Sequence, residues 1–202
     1  MKLTRRTLFA AGASLAAIAS CPTVRASRQA EEPLADTVRT ALSAAIFGDG
    51  PPQLETLAEA ERRRFVAWRA GTDARLRTRV PDDALRQEFL ACAWYECRRA
   101  GLDTALVLGL VEQESGFRKY AISAVGARGY MQVMPFWSRS IGDGNPSDLF
   151  HAQTNMRFGC AILRSYLEKE RGDLFMALGR YNGSRGQAKY PQSVLALSRR
   201  WT

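Results

Sequence analysis

Two acidic residues lie in the last turn of a strongly apolar segment. Residues 104–115 are almost wholly apolar until Glu112 and Glu114, which predicts a buried helix. A carboxyl group there faces the negative end of the helix dipole and apolar surroundings, and both effects disfavour its ionised form. A carboxyl group that keeps its proton near neutral pH is suited to general-acid cleavage of a glycosidic bond. Because residues 112 and 114 lie on nearly opposite helix faces, only one can enter a given cleft. The alternative is that both are solvated at a frayed helix end.

Further motifs follow Glu114 at fixed intervals. Ser123 precedes the loop Gly-Ala-Arg-Gly-Tyr-Met-Gln-Val-Met-Pro of residues 126–135, and Ala-Leu-Gly-Arg-Tyr-Asn occupies residues 177–182. Glycine allows backbone angles closed to other residues and lets the main chain approach a ligand closely, so the loop indicates either a binding loop or a tight hairpin. Together with Glu114-Ser115, these motifs resemble the soluble lytic transglycosylase family over roughly residues 85–190. Asn155 and Gly159 also match an asparagine and a glycine on that family's next helix.

The resemblance implies a lysozyme-like α fold with a sugar cleft and Glu114 as the single catalytic acid and base. It implies substrate-binding roles for Ser115, Ser123, Gln132, Met134, Tyr181 and Asn182, without metal or cofactor. Tyr181 is expected to hold the Glu114 carboxyl through a hydrogen bond. The implied reaction is non-hydrolytic cleavage of the β-1,4 bond between N-acetylmuramic acid and N-acetylglucosamine in peptidoglycan. Its product is a 1,6-anhydromuramyl end.

Two alternatives use the same cleft differently. A goose-type lysozyme-like hydrolase would pass the sugar to water, and a glycan-binding or assembly factor would not catalyse at all. Glycoside hydrolases generally need two carboxyl groups flanking the bond. Asp143 and Asp148 follow the loop, and hydrolysis becomes plausible if either enters the cleft. The sequence Gly-Asp-Gly-Asn-Pro at residues 142–146 instead favours a turn there.

The predicted architecture is mainly α. An export signal over residues 1–26 is followed by a tether at 27–35, a helical extension at 36–80 and the lysozyme-like domain at 81–202. Helices are expected over residues 82–100, 104–115, 154–171 and 173–181, and the second helix of the extension is expected to end near Gly71. Between them, residues 122–132 are predicted as a small irregular or β-hairpin insertion.

The first residues have the layout of an export signal. Lys2, Arg5 and Arg6 precede an apolar run at 8–19, which is too short for a membrane-spanning helix of about 20 residues. Residues 4–9 resemble a twin-arginine signal, whose substrates cross the membrane already folded. Two processing sites fit, a lipobox ending at Cys21 and an ordinary peptidase site at residues 24–26. We favour the lipobox, which predicts a periplasmic enzyme with membrane attachment through a lipid on Cys21.

The charge of the chain suits a polyanionic partner. The net charge is +9, and removing residues 1–26, which hold four bases and no acid, leaves 25 bases against 20 acids, or +5. That excess suits peptidoglycan glycan strands or an anionic membrane. Nucleic acid is not an expected partner, because no basic stripe interleaved with aromatic residues accompanies the charge. A monomer is expected.

Three cysteines remain after processing: Cys92, Cys97 and Cys160. A Cys97–Cys160 bridge is one reading, and buried free thiols acting as small apolar side chains are the other. Export in the folded state favours free thiols, because the chain would fold in a reducing cytosol. With one histidine and no Cys-x-x-Cys pair, the sequence contains no metal-type spacing.

Overall fold

The computed structural model describes Gln29, Glu31 and residues 34–202, so the predicted export signal and Cys21 lie outside the described residues. The described chain contains helices α1 (Asp36–Ile46), α2 (Glu59–Leu76), α3 (Asp83–Ala100), α4 (Thr104–Ser115), α5 (Pro135–Ile141), α6 (Ala152–Lys169), α7 (Leu174–Asn182) and α8 (Lys189–Ser198). Two short 3₁₀ turns lie at Leu54–Thr56 and Pro146–Phe150. None of the described helices is both long and apolar enough to span a membrane.

Helix α4 is buried along almost its whole length and forms the centre of the fold. Its side chains from Ala105 to Val111 are all buried. The Asp103 carboxylate accepts the backbone N–H of Ala105 at 2.6 Å, and Gly116 ends the helix with a φ of 58°. An N-terminal aspartate and a left-handed glycine are strong helix boundaries, which explains why the sequence predicts both ends of α4 correctly.

Helices α4 and α8 approach each other closely at Gly109. A Cβ on that glycine would lie 2.6 Å from the backbone nitrogen of Ser198, so only glycine allows this packing distance. Helix α8 is absent from the sequence prediction, as is α5. Helix α8 starts at Lys189 without a side-chain cap, so the usual boundary signal is missing.

The N-terminal helices share one core with the rest of the chain. Leu42 and Ile46 of α1, and Leu76 and Val80 at the end of α2, belong to the same buried cluster as α4 and α6. The predicted division at residue 81 is therefore not a boundary of the core. Helix α2 also continues past Gly71 to Leu76, where the sequence predicted a stop, since a single glycine costs a helix only about 1 kcal/mol.

A buried arginine joins α1 to α6. Arg157 is 6% exposed and donates to the carbonyl oxygens of Ile46, at 3.2 Å, and of Gly48, at 2.6 Å. Its guanidinium also pairs with the buried carboxylate of Glu96 at 2.9 Å. A buried charge of this kind is tolerated because it is both paired and hydrogen-bonded. The arginine thereby fixes the C-terminal end of α1 against the domain.

Part of the predicted tether at 27–35 is packed rather than free. The indole N–H of Trp137 in α5 donates to the Gln29 amide oxygen at 3.0 Å, and Gln29 is buried. The Ser140 hydroxyl donates to the Glu31 carboxylate at 3.4 Å. These two described residues lie against α5, which corrects the expectation of a free linker at this point.

The three cysteines of the described chain are buried free thiols. Cys97 of α3 and Cys160 of α6 face each other across the helix interface. The hydrogen bond between the two thiols, together with burial, raises the pKa of Cys160 well above its usual value. The Cys160 thiol therefore stays protonated, and both buried thiols pack as small apolar side chains.

Candidate active site

Glu114 is a buried carboxyl group near the C-terminal end of α4. Its side chain is 1% exposed, and burial raises its pKa to about 8 against a lowering effect from its hydrogen bond with Tyr190. The Tyr190 hydroxyl, from the first turn of α8, donates to Glu114 Oε1. At pH 7 the protonated form of this carboxyl group therefore predominates. Such a group can donate a proton to a ligand at neutral pH.

Glu112 faces the opposite side of α4 and is held by the C-terminal end of the chain. Its carboxylate pairs with Arg79 at 2.8 Å and with Arg200 at 3.1 Å, and it accepts the Trp201 indole N–H at 2.9 Å. Three donors thus hold this carboxylate in place. Of the two acids in this turn, Glu114 is therefore the candidate acid and Glu112 a structural anchor.

Residues 116–134, between α4 and α5, form a segment that we call the wall. Its Met131 carbonyl oxygen accepts the hydroxyl of Tyr181, a neighbour of Glu114. The wall is irregular, as the sequence predicted, with isolated antiparallel bridges between Ile122 and Arg128 and between Arg128 and Val133. Gln132 adopts a positive φ of 50°, unusual for a residue other than glycine. Its side-chain N–H₂ stabilises this backbone by donating to the carbonyl oxygens of Gly129, at 2.9 Å, and Ala121, at 3.1 Å.

Asn155 of α6 fastens this wall to the helical core. Its amide N–H₂ donates to the carbonyl oxygens of Arg128 and Leu149, both at 2.8 Å, and its oxygen accepts the Met131 N–H at 2.8 Å. A Cβ on Gly129 would lie 2.6 Å from the Leu149 carbonyl oxygen. The close approach that Gly129 permits is thus to Asn155 and the Leu149 carbonyl oxygen of the protein itself.

Gly159, one turn further along α6, packs against Met131 of the same wall. A Cβ at residue 159 would lie 2.7 Å from Met131 Cβ. We expect Gly159→Ala to lower stability by about 2–3 kcal/mol through overpacking, and the melting temperature by about 5–10 °C. Thermal unfolding monitored by circular dichroism measures this. Gly71→Ala, also within a helix but with open space around it, should be neutral or slightly stabilising. Equal melting temperatures for the two variants would contradict the packing argument.

Several residues that the resemblance proposed as substrate contacts have structural partners. The Ser123 hydroxyl oxygen accepts the Ala127 N–H at 3.1 Å, and the Ser115 hydroxyl donates to the Val111 carbonyl oxygen at 3.1 Å within α4. The Asn182 amide donates to the Ser184 hydroxyl at 2.9 Å. Met134 is half-buried immediately before α5. Ser115 is the least suited to a substrate contact, because it is buried and bonded inside its own helix.

Gln132 retains one unused acceptor. Its side-chain oxygen is buried and has no hydrogen-bond partner among the described residues. A buried polar atom without a partner is costly, so such atoms often mark the place of a ligand or a water molecule. Because the amide N–H₂ is already bonded to the wall, the oxygen alone can receive a donor from a ligand.

The donor to Glu114 corrects one sequence expectation. The Tyr181 hydroxyl donates to the Met131 carbonyl oxygen at 2.9 Å, and the hydroxyl that donates a hydrogen bond to the Glu114 carboxyl is that of Tyr190. Tyr181 is nevertheless close, since burial first, and then the charge of Glu114, raise its pKa. Sequence reasoning missed Tyr190 because it missed α8. The spacing of Tyr190 and Val194, both buried on one helix face, is the signal that could have found it.

Aromatic side chains near the loop belong to the core. Phe117, Phe136 and Trp137, which flank the loop in the sequence, are all buried. Tyr130 is also buried and lies 4.7 Å from Phe89, between ring centroids. These rings pack the domain and are not available to a sugar.

The two aspartates after the loop form a turn. Asp143 accepts the Asn145 backbone N–H at 3.0 Å, and Asp148 accepts the Asn145 side-chain amide at 2.9 Å. No second carboxylate of the described chain contributes to the pKa of Glu114. In the part of the chain that the structure describes, no three His, Cys, Asp or Glu side chains are grouped as a metal site. A groove of about 1120 Å³ between α1 and α6 contains none of the predicted site residues.

Comparisons with known proteins match this arrangement of helices and motifs. A profile of the Transglycosylase SLT domain matches residues 92–194, which is just over half of the chain. The chain belongs to the transglycosylase SLT-domain family. The match includes Glu114, the loop, Asn155 and Tyr190, and it excludes α1 and α2. The SLT domain of this chain thus begins inside α3 and ends inside α8.

Relatives of the SLT domain include a transglycosylase of Enterobacteria phage PRD1, 37% identical over 105 residues, covering 50% of this chain and 38% of that protein. The membrane-bound lytic murein transglycosylase C of Mannheimia succiniciproducens is 35% identical over 85 residues, covering 38% and 24%. Among solved structures, an inactive glutamate-to-glutamine variant of the lytic transglycosylase Slt from Pseudomonas aeruginosa is similar, with a TM-score of 0.50 and 25% identity. That match covers 55% of this chain and 23% of the other. The matched segments span less than half of these longer proteins.

Proposed function

We propose that this SLT-domain protein is a peptidoglycan lytic transglycosylase with Glu114 as its only catalytic acid and base. The observation that carries the proposal is the state of Glu114. Burial holds its pKa at about 8, and among the described residues its hydrogen-bonding partner is the neutral hydroxyl of Tyr190. An acid of this kind is protonated before the reaction and can return to that state afterwards.

The reaction needs a single proton, which Glu114 donates and then recovers. The protonated carboxyl gives its proton to the β-1,4 oxygen as the bond from N-acetylmuramic acid breaks. The substrate's own acetamido group stabilises the electron-poor anomeric carbon. Glu114, now a carboxylate, removes the proton of the C6 hydroxyl, whose oxygen closes the 1,6-anhydro ring. No water is consumed, and the carboxyl group ends the cycle protonated as it began.

Gln132 is the substrate contact that the geometry supports best. Its buried, unpartnered oxygen can accept a hydroxyl or amide N–H of the sugar, while its N–H₂ keeps the wall in place. Ser123, Met134, Tyr181 and Asn182 remain proposed contacts from the family resemblance. Tyr190 joins them as the residue that orients the acid.

The hydrolase alternative has less support. A hydrolytic mechanism with a second carboxylate would draw on Asp143 or Asp148, and both are bonded within the turn after α5. A glycan-binding or assembly factor would not need a buried carboxyl group at Glu114, although burying that group costs folding free energy.

Product analysis tests the proposed function. Purified peptidoglycan is digested with the protein, and the released sugars are identified by mass spectrometry. Anhydromuramyl ends, lighter than reducing ends by one water, are expected throughout. Reducing ends would assign the protein to the hydrolases, and no release of soluble sugars would make it a binding factor.

We further propose that the protein works in the periplasm, attached to a membrane through a lipid on Cys21. Residues 18–21 have the pattern of a lipobox, and relatives such as the M. succiniciproducens protein are named membrane-bound. Because several acyl chains anchor a protein stably, the wild-type protein should fractionate with membranes, whereas Cys21→Ser should be soluble in the periplasm. Fractionation with immunoblotting measures this. An intact mass for an unmodified chain that begins at Ser27 would contradict the anchor.

A further inference from the structure

The wall between α4 and α5 has an outer face that is unusually apolar. Tyr120, Ile122 and Val125 are 66%, 59% and 49% exposed, whereas Ala121 and Ser123 on the inner face are each 6% exposed. The exposure of residues 120–123 alternates as expected of extended backbone, whose successive side chains point to opposite sides, and Val125 is exposed in the turn that follows. The inner side carries Ser123, one of the proposed sugar contacts. The outer side exposes apolar groups to water, which is typical of interaction surfaces.

A cation and two rings complete this outer face. The Arg128 guanidinium lies 5.3 Å from the centroid of Phe150, and the Phe150 and Tyr120 rings are 6.1 Å apart. Ile122 and Arg128 are bridge partners, so their side chains share one side of the wall. Within the described chain Arg128 has no carboxylate partner, unlike Lys119, which pairs with Glu88 at 2.7 Å. We call Tyr120, Ile122, Val125, Arg128 and Phe150 the outer strip.

We propose that the outer strip binds the acidic stem peptide carried by peptidoglycan strands, an inference that rests on the proposed function. Stem peptides combine alanine methyl groups with free carboxylates. The methyl groups match the exposed side chains of Ile122 and Val125. A carboxylate matches the unpaired guanidinium of Arg128, which can bind it through two parallel hydrogen bonds.

The position of the strip suits a substituent of the bound sugar. Ser123 and Gln132, on the inner side of the same wall, are the proposed sugar contacts. A stem of five residues extends over roughly 17 Å, and the two sides of one extended segment are separated by about 10 Å or less. A stem peptide attached to a sugar at the inner side can therefore reach the outer strip while it remains attached to the glycan strand.

The test compares two soluble, uncross-linked substrates, glycan strands with intact stems and the same strands stripped of stems by an amidase. For each, kcat/KM is measured for wild type, Arg128→Gln and Arg69→Gln. Arg69 is a matched control, because its guanidinium also lies 5.3 Å from a phenylalanine centroid, that of Phe65 on α2. We expect the ratio of kcat/KM with stems to that without stems to fall about fivefold in Arg128→Gln and to stay at the wild-type value in Arg69→Gln.

A double variant tests the apolar part of the strip, since both residues are exposed and tolerate polar substitution. Ile122→Ser with Val125→Ser should lower the same ratio, and Val66→Ser, which alters an exposed valine of α2, should not. An unchanged ratio in Arg128→Gln and in the double variant would overturn the proposal. Equal losses on both substrates would also overturn it, since the strip would then bind sugar.

A direct titration separates this inference from the proposed function. A synthetic stem peptide is added to the protein, and methyl NMR signals of Ile122 and Val125 are followed. Saturable shifts in wild type that weaken in Arg128→Gln support the strip even if the protein cleaves neither substrate, in which case the proposed function alone fails. Absence of shifts in wild type would overturn the strip and leave cleavage untouched.

Discussion

Glu114→Gln should reduce glycan cleavage by about a thousandfold or more, because the amide keeps the shape of the side chain but has no acidic proton to donate. Its oxygen can still accept the Tyr190 hydroxyl, so the fold around it is retained. Release of soluble sugars from peptidoglycan, followed over time, measures the loss. A loss of less than tenfold would show that another residue is the acid.

The same substitution should stabilise the protein at neutral and alkaline pH. The folded-state pKa of Glu114, about 8, lies above its ordinary value of 4.5. Its contribution to stability is therefore complete below pH 4.5 and is lost as the pH rises through 8. A neutral amide avoids this loss, so Glu114→Gln should be clearly more stable than wild type near pH 8 and about equal to it at pH 4.

Glu112→Gln is the matched control for Glu114, two residues earlier in the same turn. The substitution removes a carboxylate held by Arg79, Arg200 and Trp201, so the melting temperature of the variant protein should fall. Cleavage should persist, because Glu112 faces away from the site. Opposite effects of the two substitutions on stability and on rate separate catalysis from folding. Loss of cleavage in a folded Glu112→Gln protein would contradict the assignment of the acid.

Tyr190→Phe should lower the cleavage rate about tenfold and move the alkaline limb of the pH–rate profile to higher pH. In wild type the rate should fall as Glu114 loses its proton, near pH 8. The Tyr190 hydrogen bond favours the carboxylate and so lowers this pKa. Without the hydroxyl, no hydrogen bond from residue 190 counters the effect of burial, and the pKa of Glu114 rises.

The profile is measured as kcat/KM from about pH 5 to pH 10, a range that contains the expected limb. Tyr130→Phe is a suitable control, since Tyr130 is equally buried in the wall and packs on Phe89. Its limb should coincide with that of wild type. A limb that moves to lower pH in Tyr190→Phe, or does not move at all, would refute the role of this tyrosine.

The helices that begin and end with clear local signals were predictable from the sequence. Helices α3 and α4 start after Asp82 and Asp103 and stop at Gly101 and Gly116, and such caps act within one turn. Helix α8 has no cap, so nothing local distinguishes its start from loop. Its position depends instead on packing against Gly109, a contact between distant parts of the chain.

The buried carboxyl group of Glu114 was predictable, but its environment was not. An apolar helix ending in Glu112 and Glu114 indicates a carboxyl with a raised pKa, and the later motifs select Glu114. The partner of that carboxyl is 76 positions away, and no local pattern encodes such a contact. The motif residues also stabilise the fold, beyond the substrate contacts that the resemblance implied. Gln132 holds its own strained backbone, and Asn155 with Gly129 fastens the wall to α6.

Digestion in water enriched in ¹⁸O tests the central claim most directly. If Glu114 alone protonates the glycosidic oxygen and then activates the sugar's own C6 hydroxyl, no oxygen from water enters the product. Mass spectrometry should then find anhydromuramyl ends without the heavy isotope. Muramyl ends that carry one ¹⁸O atom at the earliest time points would contradict the account, because water would be the acceptor.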